Sequence, residues 1–239
     1  MPNVQASVDS FIDEIKVIES SFDKDLQRLA VTFKNATETE VINATRQLNF
    51  LQELQAKGLG TALDNFDAEY TKMLQIAIKE AKKRGLPAFT GASIEGLEVL
   101  RDINYERLLG SFKEYSEATK FSLFRGVYAN ESISSITSGL AQTGMVTRQL
   151  NLVAYDGLKI FDDMSRYKVF QGQDVKWTYV GPQDAFTRPE CQATKDNEPK
   201  GGYTESEASS SDTPFGIRGG FNCRHSWEIK WKTLSLKKL

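Results

Sequence analysis

Residues 7–33 read SVDSFIDEIKVIESSFDKDLQRLAVTF. With Val4 just ahead of them, the apolar positions are Val8, Phe11, Ile15, Ile18, Phe22, Leu26, Leu29 and Phe33. Successive positions lie three or four residues apart, the spacing that lines one face of an α-helix, and the stripe runs over several heptads. The pattern predicts a single long amphipathic helix. It fits either a member of an antiparallel bundle or one strand of a coiled coil between subunits.

The same reading extends along the chain. Thr37 and Glu40 form a capping-box pair that starts a second helix, with Val41, Leu48, Leu51 and Leu54 on its buried face and Lys57-Gly58-Leu59-Gly60 at its end. A third helix carries Leu63, Phe66, Tyr70, Met73, Leu74, Ala77 and Ile78. Lys82, Lys83 and Arg84 suit the negative end of its dipole, Gly85 can take the left-handed cap, and Pro87 blocks continuation. The basic triplet therefore reads as a helix end before it reads as a nucleic-acid contact. A further helical stretch covers residues 94–129, with Leu97, Leu100, Ile103, Leu108, Phe112 and Tyr115 facing inward. Gly110 and Gly126 weaken the case for an unbroken helix there. A short segment at 131–141 and a helix at 145–167 complete the helical part.

From Gln171 onward the style changes to Gly, Pro, Ser and short aromatic runs. Val175, Trp177 and Tyr179 alternate with polar or small residues, as do Trp227, Ile229 and Trp231, which is the period of half-buried strands. The expected fold is mainly α: a long-helix N-terminal bundle over residues 1–142, then a small α+β unit with a short antiparallel sheet over 143–239. A long polar loop at 197–220 separates the two strands, and loops of that length are usually functional or mobile.

Bulk properties exclude several classes. The 239 residues carry a formal charge of -2 with a pI of about 5.7, so no chain-wide basic surface exists to coat nucleic acid. Local basic patches remain at Lys82-Lys83-Arg84 and at Lys230, Lys232, Lys237 and Lys238. No charged leader runs into an apolar stretch, and no run approaches the ~18 apolar residues of a membrane span, so the expectation is a soluble protein made in a reducing cytoplasm. Two cysteines and one histidine are too few for a disulfide scaffold or a classical zinc finger.

Chemistry concentrates in a split constellation. One half is Trp177, Asp184, Thr187, Arg188 and Cys191; the other is Asn222, Cys223, Arg224 and His225. Pairing of the two strands would bring Cys191, Cys223 and His225 together. Three readings stand side by side: a zinc site with a carboxylate or water as fourth ligand, a Cys191–Cys223 disulfide pinning the loop outside the cell, or two small buried residues with no bond between them. Asp184 and Arg188 read as a structural ion pair or turn cap. Cys191 as nucleophile with His225 as base would supply the residue types for covalent catalysis, but no orienting third group is evident. Phosphate loops ending in Lys-Ser or Lys-Thr, His-Glu-x-x-His and Gly-x-Ser-x-Gly are absent from the sequence. No catalytic residue is assigned, and the chain is expected not to be an enzyme.

The constellation resembles the Mu F-like domain of tailed-phage minor head proteins. In that family a Trp-bearing strand precedes an Asp, a Thr-Arg pair and a Cys or His, and a variable loop leads to a closing Asn-Cys-Arg-Cys or Asn-Cys-Arg-His and a last strand. Trp177, Asp184, Thr187, Arg188, Cys191, Asn222, Cys223, Arg224 and His225 match in order. The match spans about residues 145–231. It departs at Val146-Thr147-Arg148-Gln149-Leu150, where the family carries an Arg-Thr-Glu-like element. Some relatives add a toxin domain, for which the stretch after the final strand leaves no room. The resemblance implies a low-copy virion protein at the portal vertex, made in the host cytoplasm and acting in head assembly, DNA packaging or ejection. Its partners would be portal protein, major capsid protein, copies of itself or packaged DNA, and not a membrane. A metal- or thiol-dependent enzyme of the toxin-related branch and a tail or ejection protein are the alternatives.

Overall fold

The computed structural model describes residues 3–83, 85, 91–132, 134–136, 138–139 and 147–230. The chain is mainly α with a short antiparallel sheet. Its elements are α1 (Val4–Lys34), α2 (Glu38–Gln47), α3 (Phe50–Ala56), α4 (Leu59–Lys83), α5 (Gly91–Tyr128), α6 (Thr147–Phe170), β1 (Lys176–Val180), α7 (Pro189–Asp196), α8 (Glu205–Ser209) and β2 (Ser226–Lys230). They pack as two compact units, residues 3–69 with 102–154, and residues 70–101 with those from 155 on.

In the first unit α1 is unbroken, as the opening stripe predicts, and Asn3 caps it by accepting from the Ala6 amide. Its buried face passes through Ala30 rather than Leu29, which is only half-buried. Ala30 follows Leu26 by four residues and precedes Phe33 by three, which keeps it on the same face. Phe11 packs on Phe66 with ring centroids 4.5 Å apart, and Phe22 meets Phe50 and Tyr115. The Thr37–Glu40 capping box is present.

The expected second helix is two helices. Leu48 turns extended, and Asn49 caps α3 by accepting from the Gln52 amide at 3.1 Å. The Leu48 carbonyl is taken by Lys120 Nζ at 2.9 Å. Phe50 and Leu54 are buried as a result, whereas Leu48 and Leu51 are only half-buried. Gly58, at a φ of 106°, ends α3 in the left-handed region that glycine favours.

The long helical stretch is a single helix, and α5 runs through both Gly110 and Gly126. Leu108, Phe112 and Tyr115 are buried as expected, but Ile103 is 52 % exposed. A Cβ on Gly126 would stand 2.7 Å from Ile136 Cγ1, so this glycine admits a neighbouring segment. Gly110 faces open space.

In the second unit Leu97 of α5 is buried, and Gly85 takes the left-handed conformation after α4, its amide bonding the Lys82 carbonyl. Arg84, Pro87, Met145, Val146, Trp231, Lys232, Lys237 and Lys238 lie outside the described residues, as does part of the 131–141 segment. β1 and β2 pair antiparallel with Trp177 opposite Ile229 and Tyr179 opposite Trp227. Trp177, Tyr179 and Trp227 point into a core completed by Tyr203, Phe170, Val169, Ala77 and Ala81. The segment 197–220 is built into that core. Tyr203 exchanges both backbone hydrogen bonds with Trp177, covering the second edge of β1, and Trp227 Nε1 donates to the Thr213 carbonyl at 2.6 Å.

The two helical glycines make opposite predictions. Gly110→Ala should stabilise the chain by up to ~1 kcal/mol through helix propensity. Gly126→Ala should destabilise it by ~1–3 kcal/mol, because the added methyl overpacks Ile136. Denaturant melts of the two variants measure both signs.

Candidate metal centre

Three loops of backbone meet at the site. β1 ends at Tyr179 and Val180, the turn 181–188 leads into α7, and the segment 217–225 leads into β2. Asp184 shapes the first turn by accepting from the Phe186 amide, while Thr187 Oγ1 accepts from the Asp184 amide and donates to the Pro182 carbonyl. Asp184 pairs with Arg224, at 2.6 and 2.7 Å, rather than with Arg188. That ion pair, helped by the Phe186 amide and Thr187, holds the Asp184 carboxyl well below the usual range. Arg188 instead reaches across to the backbone carbonyls of Gly219 and Phe221. The turn-cap reading of Asp184 holds, and the partner of each charge is new.

Cys191 stands in the first turn of α7, and Cys223 and His225 stand on the approach to β2. The two thiols are 1 % and 3 % exposed, and their sulfurs lie 3.7 Å apart, unbonded. His225 Nδ1 is 3.9 Å from Cys223 Sγ, and the three ligand atoms all lie within 4.8 Å of one another. The Tyr179 hydroxyl is 3.5 Å from each sulfur, and its ring stacks on the His225 ring.

Electrostatics make Cys223 the first of the pair to ionise. Burial pushes its thiol up, but the Tyr179 hydroxyl, the amides of His225 and Gly219 and the Cys191 thiol together bring it below the usual value. Burial and the neighbouring Cys223 push Cys191 up. Burial also lowers the His225 pKa, aided by Lys195, so the imidazole is neutral and free to offer a lone pair. Its Nε2 is buried without a hydrogen bond of normal geometry, although the Pro182 carbonyl acts on the ring in favour of its proton.

These residues fit a zinc ion. Zn–S bonds of about 2.3 Å in a tetrahedron put two sulfurs about 3.8 Å apart, close to the 3.7 Å found. The matching S···N edge is about 3.5 Å, against 3.9 Å between Cys223 Sγ and Nδ1, so His225 moves inward to become the third ligand. Gly219 leaves the room: a Cβ there would overlap Cys191 Sγ and crowd Cys223. Gly181 likewise lets His225 lie against the backbone. The amides of His225 and Gly219 donate to Cys223 Sγ, and hydrogen bonds of this kind tune the thiolate ligands of metal centres.

Beneath the site lies a charged group that the sequence reading missed. Arg218 has a fully buried guanidinium. It donates to Asp156 at 2.9 Å and to the Cys223 carbonyl at 3.0 Å, with the His225 carbonyl 3.4 Å away and Asp163 at 3.6 Å. Asp156 also accepts from the Asn222 amide, which places the left-handed Asn222 at the head of the Cys223-x-His225 segment. Arg218 itself is left-handed, at a φ of 53°. Trp177 contributes as a core residue, packed against Phe170 and Phe215.

No family model matches the chain, and no curated protein or solved structure matches it.

Asp163 sets a pH dependence. Burial raises its carboxyl to about 7, against the pull of Lys159, Arg218 and Arg166 and with a push from Asp162. The folded chain therefore holds that proton more tightly than the unfolded one. The stability it confers is full below the ordinary carboxylate range and is lost as pH rises through about 7. Asp163→Asn should flatten this fall, which amounts to at most about 4 kcal/mol, in urea melts taken from acid to neutral pH. Arg218→Ala leaves the buried Asp156 carboxylate without its cation, and ~3–5 kcal/mol of destabilisation is expected in the same assay at neutral pH.

Proposed function

We propose that this chain is a structural protein of a tailed-phage particle, a Mu F-like minor head protein acting at the portal vertex in head assembly or in DNA packaging and ejection, with a zinc ion held by Cys191, Cys223 and His225. The observation that carries the reading is the role taken by the residues of the resemblance. Asp184 and Arg224 tie the turn to the strand entry, Arg188 clamps the carbonyls of Gly219 and Phe221, and Asn222 is seated on Asp156. Trp177 fills the core, and the thiols and imidazole converge inside it. Each serves to hold a small unit in shape. That is what a protein acting through its surfaces requires, and portal or major capsid protein would be the partner of those surfaces.

The burial of both sulfurs weighs against a thiol nucleophile, since a substrate would have to displace core residues to reach either one. A structural metal also suits the unit's size, because a two-stranded sheet of five-residue strands is marginal without further support. No helix among the described residues is long and apolar enough to cross a membrane.

Two measurements test the reading. Co-expressed with portal and major capsid proteins of a tailed phage, the chain should co-purify with assembled heads and be found in purified virions by mass spectrometry. Absence from particles and from both complexes would sink the assembly role. Separately, the purified chain should carry one zinc per molecule with both thiols free, and a chelator should lower its melting temperature. A mass lower by two hydrogens with no metal would instead establish the disulfide.

A further inference from the structure

Three ligands leave a tetrahedral zinc ion one position short. Besides the sulfurs and the imidazole, one more oxygen is already in place. The Tyr179 hydroxyl lies 3.5 Å from Cys191 Sγ and 3.5 Å from Cys223 Sγ, while the sulfurs lie 3.7 Å from each other. A tetrahedral ion with Zn–S bonds of about 2.3 Å and a Zn–O bond of about 2.1 Å has S···O edges of about 3.6 Å and an S···S edge of about 3.8 Å. The three atoms therefore already mark out one face of the tetrahedron. Nδ1 of His225 lies 3.9 Å from Cys223 Sγ, and with the two sulfurs it falls within 4.8 Å, so an inward shift of the imidazole supplies the fourth corner.

A second observation is independent of those distances. Tyr179 is 1 % exposed, and among the described residues the two sulfurs are the only hydrogen-bond partners of its hydroxyl. A buried phenol normally finds a nitrogen or oxygen partner. Here strand register sends the ring inward beside Trp177, where a phenylalanine would fill the same core space. The hydroxyl adds nothing to that packing, and it reaches only the sulfurs.

The geometry points to Tyr179 as the fourth ligand, its hydroxyl oxygen completing a closed Cys191–Cys223–His225–Tyr179 centre around the zinc ion. This rests on the metal-centre reading above. On binding, the ion takes the phenol oxygen as an anionic donor and the displaced proton leaves to solvent, as it does from each thiol. A closed set of four protein ligands leaves no position for water or substrate, which marks a structural centre.

The test uses the full chain and cobalt(II) or zinc(II) as the probe. Cobalt should bind the wild-type protein with the intense visible bands of a tetrahedral thiolate site. Zinc should raise the ultraviolet difference band of one ionised tyrosine. In Tyr179→Phe the tyrosine band should vanish, and competition with a chelator should show affinity weaker by about tenfold or more. A wild-type protein that binds zinc with no tyrosine band overturns the assignment and leaves the three-ligand centre standing, whether or not the variant folds. So does a folded variant of unchanged affinity. A wild-type protein that takes up neither metal overturns the metal centre itself, and this assignment with it.

Discussion

The guanidinium of Arg218 has no contact with solvent, yet it sits between two aspartates of α6 and the backbone carbonyls of the segment that carries Cys223 and His225. Burying a charge of this kind is tolerable only when it is paired and hydrogen-bonded. The terminal nitrogens of the guanidinium meet that demand from two sides, while Nε faces Asp163 at 3.6 Å without a hydrogen bond. Asp156 and Asp163 lie two turns apart on one face of α6, and the carbonyls come from a stretch that is otherwise irregular. Holding an arginine in the left-handed region costs about 1–2 kcal/mol, and this network supplies the compensation. The cation ties the carbonyls of Cys223 and His225 to α6, and so fixes the path of residues 217–225 together with Arg188 and the Asp184–Arg224 pair. The seating of Asn222 and the convergence of the ligand atoms follow from that path.

Two kinds of support thus meet on one small sheet. The aromatic core of Trp177, Tyr179, Tyr203, Phe215 and Trp227 supplies apolar area, and the polar connections fix where the loops leave it. A core of large rings resists compression but tolerates sliding, whereas charge-assisted bonds to backbone carbonyls are directional. Two buried thiols and a neutral imidazole in contact belong with the second kind. Left without a metal, they are weak hydrogen-bonding groups packed among rings. With one, they become the strongest directional constraint in the unit. Gly219 points the same way, because any side chain there would collide with both sulfurs.

The long helices were legible because their signal is periodic and local. Spacing alone located α1, and the Thr37–Glu40 box located the start of α2. What spacing could not show was the break at Leu48. An asparagine cap inside an apolar run looks like an exposed polar residue until Lys120, distant in sequence, takes up the freed carbonyl. The glycines of α5 misled for a related reason: a glycine that costs helix propensity can be kept for the space it leaves, as Gly126 is. In the site, the strands, the two cysteines and the histidine were legible from residue type and order. Arg218 and its aspartates were not. A lone arginine in a polar loop reads as solvated, and aspartates on a helix read as its wet face. Only the fold reveals that these positions face each other. Tyr179 was visible as a strand residue, but its hydroxyl had no meaning before the sulfurs were placed around it.

The segment between Cys191 and Asn222 shows how such a unit can vary without losing its site. It is held at several points: Cys191 by α7, Tyr203 by Trp177, Thr213 by Trp227, and residues 219–223 by Arg188 and Arg218. Loop-closure entropy rises by only about 0.6 kcal/mol for each doubling of length. Insertions between fixed ends would therefore cost less than the loss of any one clamp. The part least free to change is the short backbone pairing of Tyr203 with Trp177, made beside Gly202, where a Cβ would meet the Trp177 carbonyl. The rim of the loop can diverge while its fixed ends keep the ligands in register. Phe186, 84 % exposed on the opposing turn, and Ile217 and Phe221 on the loop lie beside those clamps rather than within them. The site is held from the inside, so surface change on this face need not disturb it.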